Sequence, residues 1–131
     1  EGRLMAEPDP ICGVWQLDQW VEFRDGDPYV LDASGRIFYH PEGHVSAILT
    51  RQTDGGDPLV IAYAGRWRRE GDDVHHAVEH ATVARWVGTT LSRRVVEFDP
   101  TGDGRLLLRT PPETSRSGAE FFHDLIWVRA V

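Results

Sequence analysis

Three of the six histidines lie in one short segment, HHAVEH, as His75, His76 and His80. On a helix, His76 and His80 would share a face one turn apart and could both bind a zinc ion. The segment alternates in polarity, which indicates a strand, and there the two residues lie about 13 Å apart at roughly 3.3 Å per residue. Because zinc–nitrogen bonds are about 2 Å long, one ion cannot join both rings. We therefore expect no metal site and no cofactor.

Other motifs that would carry chemistry are incomplete. The segment DPTGDG has Thr110 where a calcium loop needs its bidentate glutamate, so we interpret it as a turn between strands. No serine lies in a G-x-S-x-G context, and TDGGDP lacks the lysine of a phosphate-binding loop. The single cysteine, Cys12, has no base beside it in the sequence. Any catalysis must therefore come from shape and hydrogen bonding.

Composition limits the partners and the compartment. The 131 residues suit one domain, and the net charge of −7 argues against nucleic acid. All 14 basic residues are arginine, which we interpret as the genome composition of a high-GC bacterium. No apolar run approaches the roughly 20 residues of a membrane helix, so we expect no membrane partner. One cysteine and no recognisable signal peptide favour the reducing cytoplasm.

Turn-forming residues recur along the chain and leave short runs rich in β-branched and aromatic residues. Several runs alternate apolar with polar residues, which is typical of strands with two distinct faces. We expect strands at residues 12–23, 28–31, 36–40, 44–51, 59–69, 73–83, 87–98, 105–110 and 120–129.

The expected fold is all-β: a single antiparallel up-and-down β-barrel of about eight to nine strands, with a sandwich as the alternative. Closure of the sheet removes exposed strand edges. We expect residues 1–10 to be flexible and residues 11–131 to form the barrel domain. Residues 1–4 are interpreted as residues left from an expression tag, with Met5 as the natural start. Residues 113–119 are expected to form an ordered loop.

The segment Gly13-Val14-Trp15 resembles the G-x-W signature of lipocalins. Further pieces follow in order: GRIFYHPEGHVSAILTR, YAGRW, HHAVEH, WVGT, RTPP and LIWVRA. Together they resemble the bacterial lipocalin-like domain family of calycin-type barrels. Two departures are ARWVGT, where the family has proline and asparagine before the tryptophan, and His80, where it has an apolar residue.

This resemblance implies a lipocalin-like barrel with a central cavity. It assigns structural roles to Gly13, Trp15 and Arg129, with Trp15 plugging one end of the barrel and the Arg129 guanidinium packed over its ring. An eight-stranded barrel is wide enough for one small ligand. The resemblance supplies no reaction, because fold alone does not fix function.

Alternation together with the family pattern gives a predicted inner face. Its members are Trp15, Leu17, Gln19, Tyr63, Trp67, Val74, His76, Val78, His80, Leu125 and Trp127. Tyr39, His44 and Ser46 are expected to share one face of the hairpin, either lining the mouth or facing water. One of the adjacent residues Arg93 and Arg94 must point inward, where it needs a carboxylate partner or an anionic ligand.

The favoured function is a cofactor-independent cyclase or isomerase that folds a small hydrophobic, polyketide-like molecule inside the cavity. We expect Tyr63, His76 and His80 to be catalytic, although each could simply form a hydrogen bond in the core. We expect the ligand to contact Leu17, Gln19, Tyr39, Trp67, Val78, Arg94, His123, Leu125 and Trp127. The alternative is a non-catalytic carrier or sensor of an apolar ligand, with a structural interaction module as a third class. Outward-facing Trp20 and Phe122 could mark a homodimer contact.

Overall fold

The computed structural model describes residues 7–101 and 104–130, so residues 1–4, interpreted as left from an expression tag, Met5 and two residues of the DPTGDG turn lie outside it. Short polar turns separate ten strands. They are β1 Gly13–Arg24, β2 Asp27–Leu31, β3 Ala33–Tyr39, β4 His44–Arg51, β5 Leu59–Glu70, β6 Asp73–Ala81, β7 Thr90–Phe98, β8 Arg105–Arg109, β9 Glu113–Thr114 and β10 Glu120–Arg129.

Eight of these strands form a closed antiparallel barrel. Strands β1 and β3 to β8 pair in chain order, β8 pairs with β10, and β10 pairs with β1 to close the ring. The two short strands extend this barrel, β2 alongside the second half of β1 and β9 alongside the start of β10. The predicted all-β, lipocalin-like architecture is confirmed.

Two local predictions about secondary structure are wrong. Residues 87–89 are not part of a strand, because a 3₁₀ helix at Ala84–Trp86 and Gly88, with φ +83°, delay the start of β7 to Thr90. The segment expected to be only a loop contains the two residues of β9. Across the described residues this 3₁₀ turn is the single helical element, and a bilayer-spanning helix is absent from them.

Bulges in β1 and β6 change which residues face inward. Opposite β10, the register steps from Leu17 to Gln19, so β1 carries one extra residue. Opposite β5, the register of β6 steps from Val78 to His80 in the same way. An extra residue reverses the in–out alternation beyond it. Gln19 and His80 are therefore exposed and Trp20 is buried, the reverse of the predicted orientation for all three.

One end of the barrel is closed by a buried indole beneath a guanidinium. Trp15 has no exposed surface, and its Nε1 donates to the carbonyl oxygen of Ile11 at 2.8 Å. The Cζ atom of Arg129 lies 4.0 Å from the centroid of the Trp15 ring. Gly13 has φ +128°, and a Cβ there would lie 2.7 Å from Nη1 of Arg129. A side chain at residue 13 would therefore displace the guanidinium.

The chain preceding β1 is held against this closed end. Arg129 donates from Nη1 to the carbonyl oxygen of Cys12 at 2.7 Å and from Nη2 to that of Pro10. Asp9 lies within the segment expected to be flexible, and its carboxylate accepts a hydrogen bond from Arg69 at 2.9 Å. Residues 9–12 are thus linked to both β5 and β10.

Candidate functional site

A cavity of about 330 Å³ lies inside the barrel, above the closed end. This volume is at the lower end of the range of small-molecule sites. Its walls are mainly aliphatic and aromatic, and its polar groups lie at two levels, one deep in the barrel and one near the mouth. The apolar lining consists of Trp20, Ile37, Ala47, Leu49, Ile61, Trp86, Leu91, Leu108, Pro111, Leu125 and Trp127.

The deep polar groups are three buried side chains, from neighbouring parts of the sheet, joined in a row by two hydrogen bonds. Tyr39 ends β3, Tyr63 lies in β5 and His76 lies in β6. The Tyr39 hydroxyl is 2.7 Å from Nε2 of His76, and the Tyr63 hydroxyl is 2.7 Å from Nδ1. Both ring nitrogens of the imidazole are therefore occupied by tyrosine hydroxyls.

Burial keeps these three side chains electrically neutral. It lowers the pKa of His76 to about 3, helped by the charge of Arg93 and by His75, so the imidazole is uncharged at neutral pH. Burial also raises the pKa of Tyr39 and of Tyr63, so both are phenols rather than phenolates. A histidine with such a low pKa is a poor general base, because a useful base has a pKa near the working pH.

A neutral imidazole has one N–H donor and one acceptor, so only one of the two tyrosines can donate to His76. The other accepts from His76, and its O–H needs an acceptor elsewhere. Among the described residues, His76 is the only hydrogen-bond partner of either hydroxyl. Tyr39 is fully buried and away from the cavity, whereas Tyr63 lines it.

An unpaired hydroxyl at Tyr39 would cost about 1–3 kcal/mol, whereas one at Tyr63 can be satisfied from the cavity. The favoured arrangement therefore has Tyr39 donating to Nε2 of His76 and Nδ1–H donating to the oxygen of Tyr63. The Tyr63 O–H proton is then directed toward the cavity.

His123 is the histidine of the cavity mouth. The indole Nε1 of Trp20 donates to its Nδ1 at 3.0 Å, and the carboxylate of Glu22 lies 3.8 Å from its Nε2. Accepting at Nδ1 places the proton of the neutral ring on Nε2, toward Glu22. Burial lowers the pKa of His123, although the Glu22 charge opposes this shift. This ring is therefore a neutral, oriented group beside the cavity.

Arg93 lines the cavity, whereas the adjacent Arg94 does not. Arg93 pairs with inward-facing Val74, whereas Arg94 is exposed and lies 3.3 Å from the carboxylate of Asp73. Arg94, the predicted ligand contact, therefore does not line this cavity, because the register of β7 places Arg93 inside instead. A second recess of about 610 Å³ adjoins the cavity at Arg93, where β7 and β8 separate.

The predicted ligand-contact residues divide into three groups: those that line the cavity, those in the core and those that are exposed. His123, Leu125 and Trp127 line the cavity with the candidate catalytic residues Tyr63 and His76. Four others pack in the hydrophobic core without lining it, namely Leu17, Tyr39, Trp67 and Val78. The remaining two, Gln19 and Arg94, are exposed. His80, the third candidate catalytic residue, is exposed because of the bulge in β6.

The hairpin of β3 and β4 also differs from its prediction. Tyr39 pairs with Val45 and is fully buried, whereas His44 and Ser46 are exposed on the opposite face. The three side chains do not share a face, because this register places Tyr39 and Val45 side by side. Phe122, in contrast, lies on the outside as predicted, where it stacks on Phe23 at 4.8 Å between centroids.

Sequence reasoning missed much of the lining, including Trp20, Trp86 and Thr110. The bulge in β1 turns Trp20 inward, and no sequence pattern predicts that bulge. Trp86 belongs to the 3₁₀ turn in the segment ARWVGT, where the chain departs from the family pattern. That departure was the one sequence signal that this loop differs from the loop of the family it resembles.

A closed eight-stranded antiparallel barrel with a tryptophan and an arginine at its closed end defines a lipocalin-like fold. Searches of protein-family profiles and of curated proteins found no match to the sequence. Among solved structures, a lipocalin-like protein from Bacteroides uniformis ATCC 8492 aligns with a TM-score of 0.55 and 16% identity, over 92% of this chain and 99% of that one.

Two further solved structures align over most of this chain. A redesigned β-barrel has a TM-score of 0.44 and 12% identity, over 88% of this chain and 90% of that one. Lobster apocrustacyanin A1 has a TM-score of 0.46 and 14% identity, over 92% of this chain and 61% of that one. At these identities the comparisons concern the fold alone.

Proposed function

We propose that this protein binds one small, largely apolar molecule inside its barrel. The observation that carries the proposal is the 330 Å³ cavity, whose walls are aromatic and aliphatic and whose few polar groups converge on it. Small-molecule sites in proteins have this composition. Burial of the ligand's apolar surface supplies the affinity, at about 25 cal/mol for each Å² removed from water.

Filling the cavity should weaken binding. Ala47 lines the cavity, whereas its neighbour Ser46 is exposed on the outside of the same strand. We expect the uncharged dye N-phenyl-1-naphthylamine to bind the wild type with one saturable site and increased fluorescence. Ala47→Leu should weaken this binding at least about tenfold by taking up the ligand's space, and the matched Ser46→Leu should not.

Thermal unfolding of both variants verifies that they are folded. Equal binding by the two variants would place the dye outside the barrel and contradict the proposal.

We further propose that the bound molecule is a polyketide-like substrate and that the protein catalyses its cyclisation or isomerisation without a cofactor. Holding a flexible chain in one folded shape lowers the barrier by orientation alone. The Tyr63 hydroxyl, supported by His76, would add a hydrogen bond to a carbonyl oxygen on which negative charge develops. This part of the proposal rests on the Tyr39–His76–Tyr63 chain.

A small polyketide acid provides a direct test of catalysis. In 3,5-dioxohexanoate the enol oxygen at C5 forms a C–O bond to the carboxyl carbon, and one water leaves to give a pyrone. We expect the wild type to accelerate this reaction over buffer, followed by the ultraviolet absorbance of the pyrone. Tyr63→Phe should reduce the acceleration about a hundredfold, whereas the exposed Tyr29→Phe should retain it. A wild-type rate equal to the buffer rate would overturn the catalytic part.

A non-catalytic carrier or sensor is the second candidate, and one observation favours it. His76, with its pKa near 3 and both ring nitrogens occupied, cannot accept a proton readily at neutral pH. The cavity would then bind its ligand without changing it. Retained dye binding together with no acceleration of pyrone formation is the result that this candidate predicts.

A further inference from the structure

The lining of the cavity includes three strong hydrogen-bond donors. Tyr63 directs a hydroxyl proton inward, Arg93 carries a full positive charge, and Trp127 has a buried indole N–H with no partner among the described residues. On the acceptor side, Nδ1 of His123 is already occupied by Trp20.

Arg93 is the one cationic side chain among the described residues that line this cavity. Its guanidinium donates from Nη1 to the carbonyl oxygen of Ser92 at 2.9 Å, but it forms no ion pair with any carboxylate in residues 7–101 or 104–130. By contrast, Arg94 and Arg109 on either side of it are paired, with Asp73 and Asp124 respectively. Glu113 also lines the cavity, but it is exposed and out of ion-pair contact with Arg93.

The charge of Arg93 acts on the interior of the barrel. Burial dominates the pKa shifts of Tyr39, Tyr63, His76 and His123, and in each case Arg93 also acts to lower the pKa. These four groups belong to four different strands, so the positive charge lies among them. A half-buried guanidinium is stabilised most by an anion, because a carboxylate accepts two parallel N–H hydrogen bonds from its planar fork.

We propose that the ligand of this cavity is an anion: an apolar body ending in a carboxylate that pairs with Arg93, with a further oxygen acceptor within reach of Tyr63. This inference rests on the proposed function, because it names the class of molecule that the same cavity binds. Tyr39 acts as a positioning residue here, since it fixes the tautomer of His76 that frees the Tyr63 proton.

Two probes of nearly equal shape isolate the charge. 2-Naphthoate and 2-naphthamide share the same apolar body and differ in the negative charge of the end group. Isothermal titration calorimetry at neutral pH should show that the wild type binds the naphthoate about tenfold to a hundredfold more tightly, the contribution of a charge-assisted hydrogen bond. Added salt should reduce this preference, because salt screens the ion pair.

The adjacent arginines provide a matched pair of variants. Arg93→Gln should bring naphthoate and naphthamide to within about twofold of each other. Arg94→Gln removes the same charge from an exposed side chain that is already paired with Asp73, and should keep the wild-type preference. Arg93→Lys retains a positive charge and should retain part of the preference. Circular dichroism and thermal unfolding verify that each variant is folded, and the wild-type comparison stands even if Arg93→Gln does not fold.

The possible outcomes separate this inference from the proposed function. Equal wild-type affinity for the two probes, or an equal loss in Arg93→Gln and Arg94→Gln, would overturn the anionic ligand and leave the apolar cavity in place. Binding of N-phenyl-1-naphthylamine but of neither naphthalene probe would do the same. Binding of none of the three molecules would contradict the proposed function itself, and the anionic ligand with it.

Discussion

His76 is a polar side chain buried as completely as the apolar core around it. It is fully buried between two tyrosines, and its ring is neutral because a charged imidazole would lose its hydration without gaining a carboxylate partner. Its two hydrogen bonds satisfy both nitrogens, so the group is tolerated inside the core. Because Tyr39 donates to one ring nitrogen of His76, the other carries the proton and donates to Tyr63. We therefore interpret His76 as the residue through which Tyr39 sets the direction of the Tyr63 hydroxyl proton.

The low pKa of His76 predicts that the protein becomes less stable in mild acid. Between about pH 3, its folded pKa, and 6.5, its ordinary value, the unfolded chain binds a proton that the folded protein does not. The unfolding free energy should therefore fall by about 1.4 kcal/mol for each pH unit below that ordinary value. Above it, this group should contribute no pH dependence.

Replacement of His76 tests this dependence. Glutamine keeps an N–H donor group and an oxygen acceptor but does not titrate. His76→Gln should therefore show a shallower loss of unfolding free energy between pH 6.5 and 4.5 in urea unfolding curves. The exposed His44→Gln is the control and should follow the wild type. Parallel curves for the wild type and His76→Gln would mean that the buried ring is not the source of the acid sensitivity.

At the residue scale, the sequence predicted part of the cavity. Tyr63, His76, Leu125 and Trp127 line it as expected, because regular alternation is unbroken around them. Alternation also required one of two adjacent arginines to point inward, but only the pairing of β7 with β6 decides that it is Arg93. The hydrogen bonds around His76 depend on the register of three strands, which the sequence does not specify.

At the scale of the elements, β5 and β6 come unusually close at the bulge in β6. A Cβ built on Gly65 would lie 1.9 Å from the carbonyl oxygen of Ala77. Glycine is needed at this position because backbone atoms of the neighbouring strand occupy the space of a side chain. The contact matters for the site, since Gly65 is two residues from Tyr63 and Ala77 is next to His76.

A methyl group at Gly65 should therefore force the two strands apart. We expect Gly65→Ala to lower the unfolding free energy by about 1–3 kcal/mol, the usual cost of overpacking, and to weaken binding of N-phenyl-1-naphthylamine. Gly56→Ala is the matched control, because its Cβ would meet its nearest atom, Oγ1 of Thr53, at 3.3 Å. Denaturant unfolding of the two variants measures the difference, and equal stabilities would contradict the proposed close approach.

Elements were easier to predict than their orientation. The turn segments set most strand boundaries to within three residues, because glycine, proline and aspartate end strands by local backbone preference. Bulges are set by how two strands fit together, so the one in β1 and the one in β6 were not predictable. Each reversed the inward and outward faces beyond it, which explains the errors at Gln19, Trp20 and His80.

At the scale of the whole molecule, the barrel divides into a closed half and an open half. Trp15, Arg129 and the surrounding core fill the closed half, and the cavity with its donor groups occupies the other. The ordered motifs predicted this architecture, because they resemble a family with the same closed end. The chemical character of the cavity, by contrast, depends on a few side chains whose placement only the register determines.

Closure by the first and last barrel strands has a consequence for how the chain folds. The hydrogen bond from Arg129 to Cys12 joins residues 117 positions apart, and one edge of β1 stays unpaired until β10 has been made. Such distant pairing slows folding, because the entropy of closing a long loop is lost before the contact stabilises it. During synthesis, the nascent chain therefore carries unpaired strand edges until β10 has left the ribosome. We expect the barrel to close in one cooperative step once β10 is available, and exposed edges to be vulnerable to aggregation until then.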